Sequence, residues 1–447
     1  MKHGVGDRPS IPGLLSADEA LLRVLGAVPG ALPAESIPTD EGLGRILAGP
    51  VIARTDLPPW DNSAMDGYAI RSADTHGSTE GRPIRLDVVG EVRAGGGASG
   101  SLPPGCCVRI ATGAPIPPGA DAVVPVEETT PVDAAGRAGA RGRDASGPLP
   151  AACLVHVEVP PGGSIRRRGS DLVSGMELLA AGTELMPAGV ALAAGAGVPL
   201  VFVHRQPVVG VLATGDEVRR AGEDLGAAGI PDANGPGVRA LVRAAGGVAI
   251  DLGIATDRLD DVVARLRDAI PLVDCVIVSG GVSVGPFDVV KPAFEMLGEV
   301  DLWRVAVQPG KPFAFGTAAR PGMPPALLFG LPGNPVSSFV TFELFVRPAL
   351  RRLAGRTVLM RPRDRAVLLE PVSKSAGRRA FLRVVAERID GDVARDAAGR
   401  VQVRLAGSQG SHVLSALAAA DALAVVPEAD DSLPAGSPVE LWWLDPA

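Results

Sequence analysis

Between Pro207 and Leu353, short aliphatic runs alternate with helix-like stretches, and this alternation restricts the fold more than any other feature of the chain. "VVGVLA", "VAIDLGIA", "DCVIVSG", "LWRVAVQ" and "ALLFGL" read as strands. Residues 237–245, 259–270, 289–297 and 336–353 read as helices. Strands separated by helices imply βαβ crossovers and a mainly parallel sheet.

The flanks have a different texture. Ser16 and Glu19 fit a capping box, and Leu21, Leu22, Leu25 and Val28 then mark an amphipathic helix. From Asp56 to about Pro161, β-like runs are divided by Gly/Pro turns, and residues 134–152 read as a mobile, low-complexity surface loop. After Gly355, "RAVLLEPV", "AFLRVVAERI", "RVQVRLAG" and "ALAVVPE" suggest a small β-barrel or sandwich. With 57 Gly and 42 Pro in 447 residues, many short elements are expected rather than long helices. A charge-free run from Leu185 to Val203 approaches membrane-span length. Its glycines and prolines make it a buried helix followed by a strand, so no membrane partner is expected.

A net charge of −7 argues against a nucleic-acid footprint. The cysteines at 106, 107, 153 and 275 form no C-x-x-C pair, which points to reduced thiols in the cytoplasm.

In an open α/β sheet, ligands bind at the carboxyl ends of the strands. The residues that follow the expected strands are Thr214 with Glu217, Asp257, Ser279 to Gly281 with Ser283, Lys311, and Pro332 with Asn334, Pro335 and Ser337. Asp288 stands at the next helix entry. Each has an ordinary reading. Thr256 or Asp257 serves equally as an N-cap, "LPGNP" is a common turn, and Arg166-Arg167-Arg168 is either a solvated turn or an anion contact. Taken together, glycine loops before helices suit phosphate. The carboxylates on the same face then call either for a divalent cation that bridges them to phosphate or for the N–H donors of a heterocycle.

"DNSAMDGYA" (61–69), "RIATGAP" (109–115), "RRRGSD" (166–171), "TGDE" (214–217), "SGGVSVG" (279–285), "PGKPFAFG" (309–316), "GLPGNPVS" (330–337) and "GSQGSH" (407–412) resemble the MoeA family, relatives of the gephyrin E domain. The resemblance covers nearly the whole chain. It implies a multidomain α/β plus β architecture: an elongated N-terminal domain (10–55 and 156–204), an inserted β-domain (56–155), a central MogA-like α/β domain (205–355) with a parallel sheet, and a C-terminal β-barrel (356–447).

It further implies insertion of molybdenum from molybdate into adenylated molybdopterin, with Mg²⁺-dependent release of AMP, in a homodimer whose active site is shared between subunits. The molybdopterin adenylyltransferase of the pathway is an expected partner. A non-catalytic molybdopterin-binding or scaffold relative is the alternative. By motif match, Asp61, Thr112 and Asp171 contribute from the inserted domain and its border, while Glu217, Asp257, Asp288 and Lys311 contribute from the α/β domain. Asp257 and Asp288 are the expected metal ligands. Thr214, Ser279, Gly280, Gly281, Ser283, Gln308, Pro332, Asn334, Pro335, Ser337, Arg383 and Ser411 are the expected substrate contacts. Family members often carry Lys where this chain has Gln308, which leaves the choice between molybdate and tungstate open. As one strand, "LWRVAVQ" places Arg304 and Gln308 on the same face.

Overall fold

The computed structural model describes residues 14–97, 100–142, 147–282 and 289–444. The chain divides into two compact units. One comprises residues up to Glu35, Gly44–Ala48 and Val203–Ala447; the other comprises Ser36–Leu43 and Gly49–Phe202.

The first unit holds a six-stranded sheet. Four strands run parallel: Val248–Ala255, Val208–Thr214, Cys275–Ser279 and Met323–Leu331. Pro312–Arg320 and Glu299–Arg304 extend it in antiparallel sense. The strand at 312–320 is not apparent in the sequence reading, because its Gly and Ala residues look like loop. Val209, Val211, Ile277 and Phe329 pack on one face of the sheet and Leu212, Val276, Val278 and Leu328 on the other. This two-sided burial explains the near-continuous aliphatic runs. The crossover helices Asn234–Ala244 and Leu259–Ala269 each bury one stripe, through Val238 with Val242 and through Val262, Val263 with Leu266. The closing helix passes through a π-helical turn at Phe342–Val346, between Pro335–Thr341 and Arg347–Leu353.

"LWRVAVQ" is not one strand. Glu299–Arg304 ends at the α/β sheet, whereas Val307–Gln308 pairs with Arg379–Ala386 in a separate sheet. Arg304 and Gln308 therefore share no strand face. The chain crosses between layers at Val305 and Ala306, where Ala306 donates to the Leu15 carbonyl.

The last part of this unit is a closed barrel. Arg379–Ala386, Val401–Leu405, Arg363–Leu368, Pro438–Trp443 and Ala422–Val426 follow one another, and pairing of the last with the first closes the ring. In the N-terminal helix Ala17–Ala27, Ser16 and Glu19 form the expected capping box. Its buried face is Ala17, Ala20 and Val24, while Leu22 is 69% exposed. Val28 joins the core and Leu21 packs against it, so of the expected stripe it is Leu22 that faces outward.

The second unit is built on a mixed six-stranded sheet in the order Ala122–Pro125, Gly67–Ile70, Cys106–Ile110, Ile84–Val92, Ala152–Val155, Thr129–Val132. The helix Pro187–Gly195 forms as expected but buries only Ala193, so it is a surface helix rather than a buried one. Arg141, within the low-complexity stretch, pairs with Glu80 and Glu128, which ties that part of the stretch down. The Cys107 and Cys153 sulfurs lie 3.3 Å apart, and all the cysteines are free. Among the described residues, no helix is long and apolar enough to cross a membrane.

The start of the parallel sheet is held by one buried carboxylate. Asp274, 4% exposed, accepts from Arg205 at 2.7 and 2.9 Å and from the Val208 N–H at 2.9 Å. Burial alone would raise its pKa; the Arg205 and Val208 hydrogen bonds outweigh that and hold it below the usual carboxylate value. A depressed pKa adds stability above the unfolded-state value, and that stability is lost as pH falls through the folded value. Asp274→Asn should lower Tm at pH 7 by roughly 5–10 °C. In calorimetry across pH, the gap from wild type should narrow below about pH 4.

Candidate functional site

The parallel register sets the site. Thr214 lies beside Ala255, Ala213 beside Ser279, and Ser279 beside Leu331. The residues that follow these strands therefore emerge along one edge of the sheet. They line a cleft of about 770 Å³ with Thr214, Gly215, Glu217, Asp257, Ser279, Gly280, Gly281, Pro332, Asn334, Pro335 and Ser337. Two hydrogen bonds link neighbouring turns, from Gly215 N–H to the Ala255 carbonyl at 3.2 Å and from Gly280 N–H to the Leu331 carbonyl at 3.1 Å.

Gly280 is required by space. Its φ is +100°, and a Cβ there would fall 2.6 Å from the Thr214 carbonyl oxygen. No other residue permits both this conformation and this approach. Across the cleft, the Asn234 amide donates to the Gly333 carbonyl at 2.7 Å, and Asp232 caps the same helix by accepting from Gly235 N–H at 2.8 Å. Asp232 and Asn234 line the cleft. The "PDANG" signal before a helix marked them, but the sequence reading began that helix three residues later. His412, also a lining residue, comes from the barrel's "GSQGSH" loop. That loop is fastened to the cleft by Val336 N–H, which donates to the Ser411 carbonyl at 3.1 Å.

Among the described residues, Asp216, Glu217 and Asp257 have no ion-pair partner. Asp216 and Asp257 each accept from the other's backbone N–H, at 3.2 and 3.3 Å. Burial, followed by the charges of Asp216 and Glu217, raises the Asp257 pKa above the usual carboxylate value. Asp257 is not the helix cap. The N-cap residue is Arg258, and Asp261 instead binds the Thr256 N–H and hydroxyl at 2.9 and 3.0 Å. Among the described residues, no group of three or more His, Cys, Asp or Glu is arranged to hold a metal. Ser283 and Asp288 lie outside the described residues.

The other expected residues stand apart from the cleft lining. Lys311 is exposed and immediately precedes Pro312, which does line it. The Gln308 side chain accepts from Ser375 N–H at 3.3 Å. Arg383 is fully buried in the barrel. Its Nη2 donates to the Ser408 and Gly410 carbonyls at 3.1 Å, but Nε and Nη1 have no acceptor. Burial lowers its pKa.

Asp61, Thr112 and Asp171 belong to the second unit. There the "DNSAMDG" and "RRRGSD" segments meet. Asp61 accepts from Arg167 at 2.7 Å and from Arg168 N–H at 2.8 Å, and these bonds lower its pKa, the Arg168 bond most strongly. Two members of the triple-Arg run are thus ion-pair partners and not merely solvated, Arg167 with Asp61 and Arg168 with Asp56. Asp171 is exposed, with its N–H on the Leu57 carbonyl.

A larger groove, about 1160 Å³, is lined by Asp18, Leu21, Phe345, Arg363, Arg379 and Trp442. Several of its charges are already paired: Arg379 pairs with Asp18 and Glu428, and Arg363 lies 4.8 Å over the Trp442 ring. The strand-end cleft, with unpaired carboxylates and glycine turns, has the stronger chemical character.

Known proteins match this arrangement from end to end. Residues 15–197 match the family model "MoeA N-terminal region (domain I and II)", 210–352 "Probable molybdopterin binding domain", and 365–444 "MoeA C-terminal region (domain IV)". A molybdopterin molybdenumtransferase of Haemophilus influenzae is 34% identical, over 96% of this chain and 98% of that protein. Molybdopterin molybdenumtransferase 2 of Mycobacterium tuberculosis is 35% identical, over 94% and 98%. Two crystal structures of a MoeA molybdopterin biosynthesis protein from Pyrococcus horikoshii superpose with TM-scores of 0.73 and 0.70, at 30% and 28% identity, covering 97% and 96% of this chain and 100% of theirs. The chain belongs to the MoeA family.

Proposed function

We propose that the chain is a molybdopterin molybdenumtransferase, which inserts molybdenum from molybdate into adenylated molybdopterin and releases AMP. The observation that carries this reading is the strand-end cleft, where glycine turns and a helix start adjoin the unpaired acidic corner at Asp257. The Gly281 N–H at the turn suits a phosphate oxygen, whereas the Gly280 N–H is taken by the Leu331 carbonyl and the Gly235 N–H by Asp232. Full-length relatives named for this activity support the same reaction.

The acidic corner fits a divalent cation. Mg²⁺ is commonly held by one or two carboxylates plus substrate phosphate, and Asp257, whose pKa is raised by burial first and by the charges of Asp216 and Glu217 after it, would gain the counter-charge such an ion brings. Asp257, with Asp288, would hold it. When bound, it supplies Lewis acidity to the phosphate whose bond breaks. Thr214 and Ser279 position that phosphate against the turn, and Lys311 adds positive charge at the cleft edge.

Arg383 serves the oxyanion. Its two acceptorless nitrogens on a buried guanidinium suit a tetrahedral dianion such as molybdate, with Ser411 on the adjoining loop. Gln308, whose carboxamide oxygen is occupied by Ser375, offers only its N–H donors. The second unit supplies Asp61, Thr112 and Asp171 to the partner's cleft in a cytoplasmic homodimer, which receives its substrate from the molybdopterin adenylyltransferase.

Purified protein with adenylated molybdopterin and Mg²⁺ should release AMP faster when molybdate is present than when it is absent, and the product should activate a molybdoenzyme apoprotein. A parallel series with tungstate shows which oxyanion Gln308 admits. Tight binding without AMP release would favour the scaffold alternative. Asp257→Asn should lower molybdate-stimulated release by about 10² or more. A raised folded pKa means that the protonated form is preferred by the fold, so its stability contribution is lost as pH rises through that value. The Asn variant should therefore melt about 1 °C higher than wild type at pH 7, a small gain because the group is only partly buried.

A further inference from the structure

The loop 111–114, at the tip of "RIATGAP", is clamped on "DNSAMDG" by backbone alone: Gly113 N–H donates to the Ser63 carbonyl at 2.8 Å and Ser63 N–H to the Ala114 carbonyl at 3.0 Å. Ile116 N–H adds a bond to the Asp61 carbonyl, and Val126 N–H one to the Asp66 carbonyl, both at 3.0 Å. Gly67, next to Asp66, fits because a Cβ would lie only 2.0 Å from the Val124 carbonyl oxygen. Backbone bonds therefore hold both loops at Ser63, Asp61 and Asp66, independently of the bonds the Asp66 side chain adds at Thr112.

That side chain nevertheless makes two bonds, and both end on Thr112. Asp66 Oδ1 accepts from the Thr112 N–H at 2.7 Å and from the Thr112 hydroxyl at 2.9 Å. Thr112 has two protons to give, and one carboxylate oxygen takes both. A threonine hydroxyl carries a single donor and two acceptor lone pairs. With its proton committed, Thr112 Oγ1 faces solvent as an acceptor only.

We infer that Asp66 is a positioning residue that presents Thr112 as a hydrogen-bond acceptor, so that Thr112 recognises an N–H group on the heterocycle of the organic substrate and not an oxyanion. This rests on the proposed function only in taking Thr112 to meet that substrate. Phosphate and molybdate dianions are acceptors without donors, and two acceptors facing each other repel. The pterin ring carries N–H donors, so the second unit reads the organic half of the substrate, while oxyanion binding is left to donor groups such as Arg383.

The test separates pterin affinity from molybdate dependence in the full-length protein. Fluorescence titration gives Kd for adenylated molybdopterin, and AMP release gives the half-saturating molybdate concentration. Thr112→Val and Asp66→Ala should each weaken pterin binding about tenfold and leave molybdate half-saturation unchanged. Thr112→Ser keeps the hydroxyl, and Asp66→Asn keeps an acceptor oxygen, so both should stay within about threefold of wild type. Melting temperatures identify any variant that has lost its fold. Unchanged pterin affinity in folded Thr112→Val, or a shift confined to molybdate, would overturn the inference, as would an Asp66→Asn variant as impaired as Asp66→Ala. If wild type binds the pterin but releases no AMP, the transferase reading fails, and the Kd comparison still decides the role of Asp66. If wild type binds no pterin, both fall.

Discussion

Two backbones meet without a side chain between them where Gly280 crosses Thr214, and the cleft depends on that approach. The parallel strands 208–214 and 275–279 run in register up to Ala213 and Ser279. The next residue must turn with φ at +100° within touching distance of the neighbouring carbonyl. Glycine alone fits there, and its own N–H is held by the Leu331 carbonyl. The floor continues to Gly333, whose missing Cβ would be 3.8 Å from the Gly280 α-carbon. Gly280 thus gives the steric permission that shapes the turn beside the cleft.

Two opposite charges in the first unit are left unbalanced. Asp257 stands with Asp216 and Glu217, and Arg383 is buried with two unsatisfied nitrogens. The fully buried Arg383 does not favour the fold, since a buried unpaired charge is costly, whereas Asp257 is only partly buried. Elsewhere in the same unit, buried charges are carefully paired: Asp274 with Arg205, and Glu343 with Arg361 and Arg347. The contrast is what motivates the proposal that Asp257 and Arg383 meet ligands of opposite sign.

Much of this was legible in the sequence. The strand-helix alternation set the parallel sheet, and the residues after strands 208–214, 275–279 and 323–331 do line one cleft, because register follows from burial on both faces. What escaped depends on contacts distant in sequence. Glu299–Arg304 and Val307–Gln308 belong to different sheets, a division that continuous apolar texture conceals. Leu22 is exposed, although Leu21 and Val28 of the same expected stripe meet the core. Asp232 and Asn234 were overlooked because their helix begins before its apolar stripe does. The bond between Asp66 and Thr112 joins residues 46 apart, with no periodicity to announce it.

The central claim is that the strand-end cleft receives the adenylated substrate. Amide hydrogen exchange, with and without adenylated molybdopterin, tests it most directly. Protection should appear at 214–217, at Gly280 and Gly281 and at 333–337, while the groove beside Trp442 exchanges as before. Protection confined to that groove, with the glycine turns unaffected, would contradict the account.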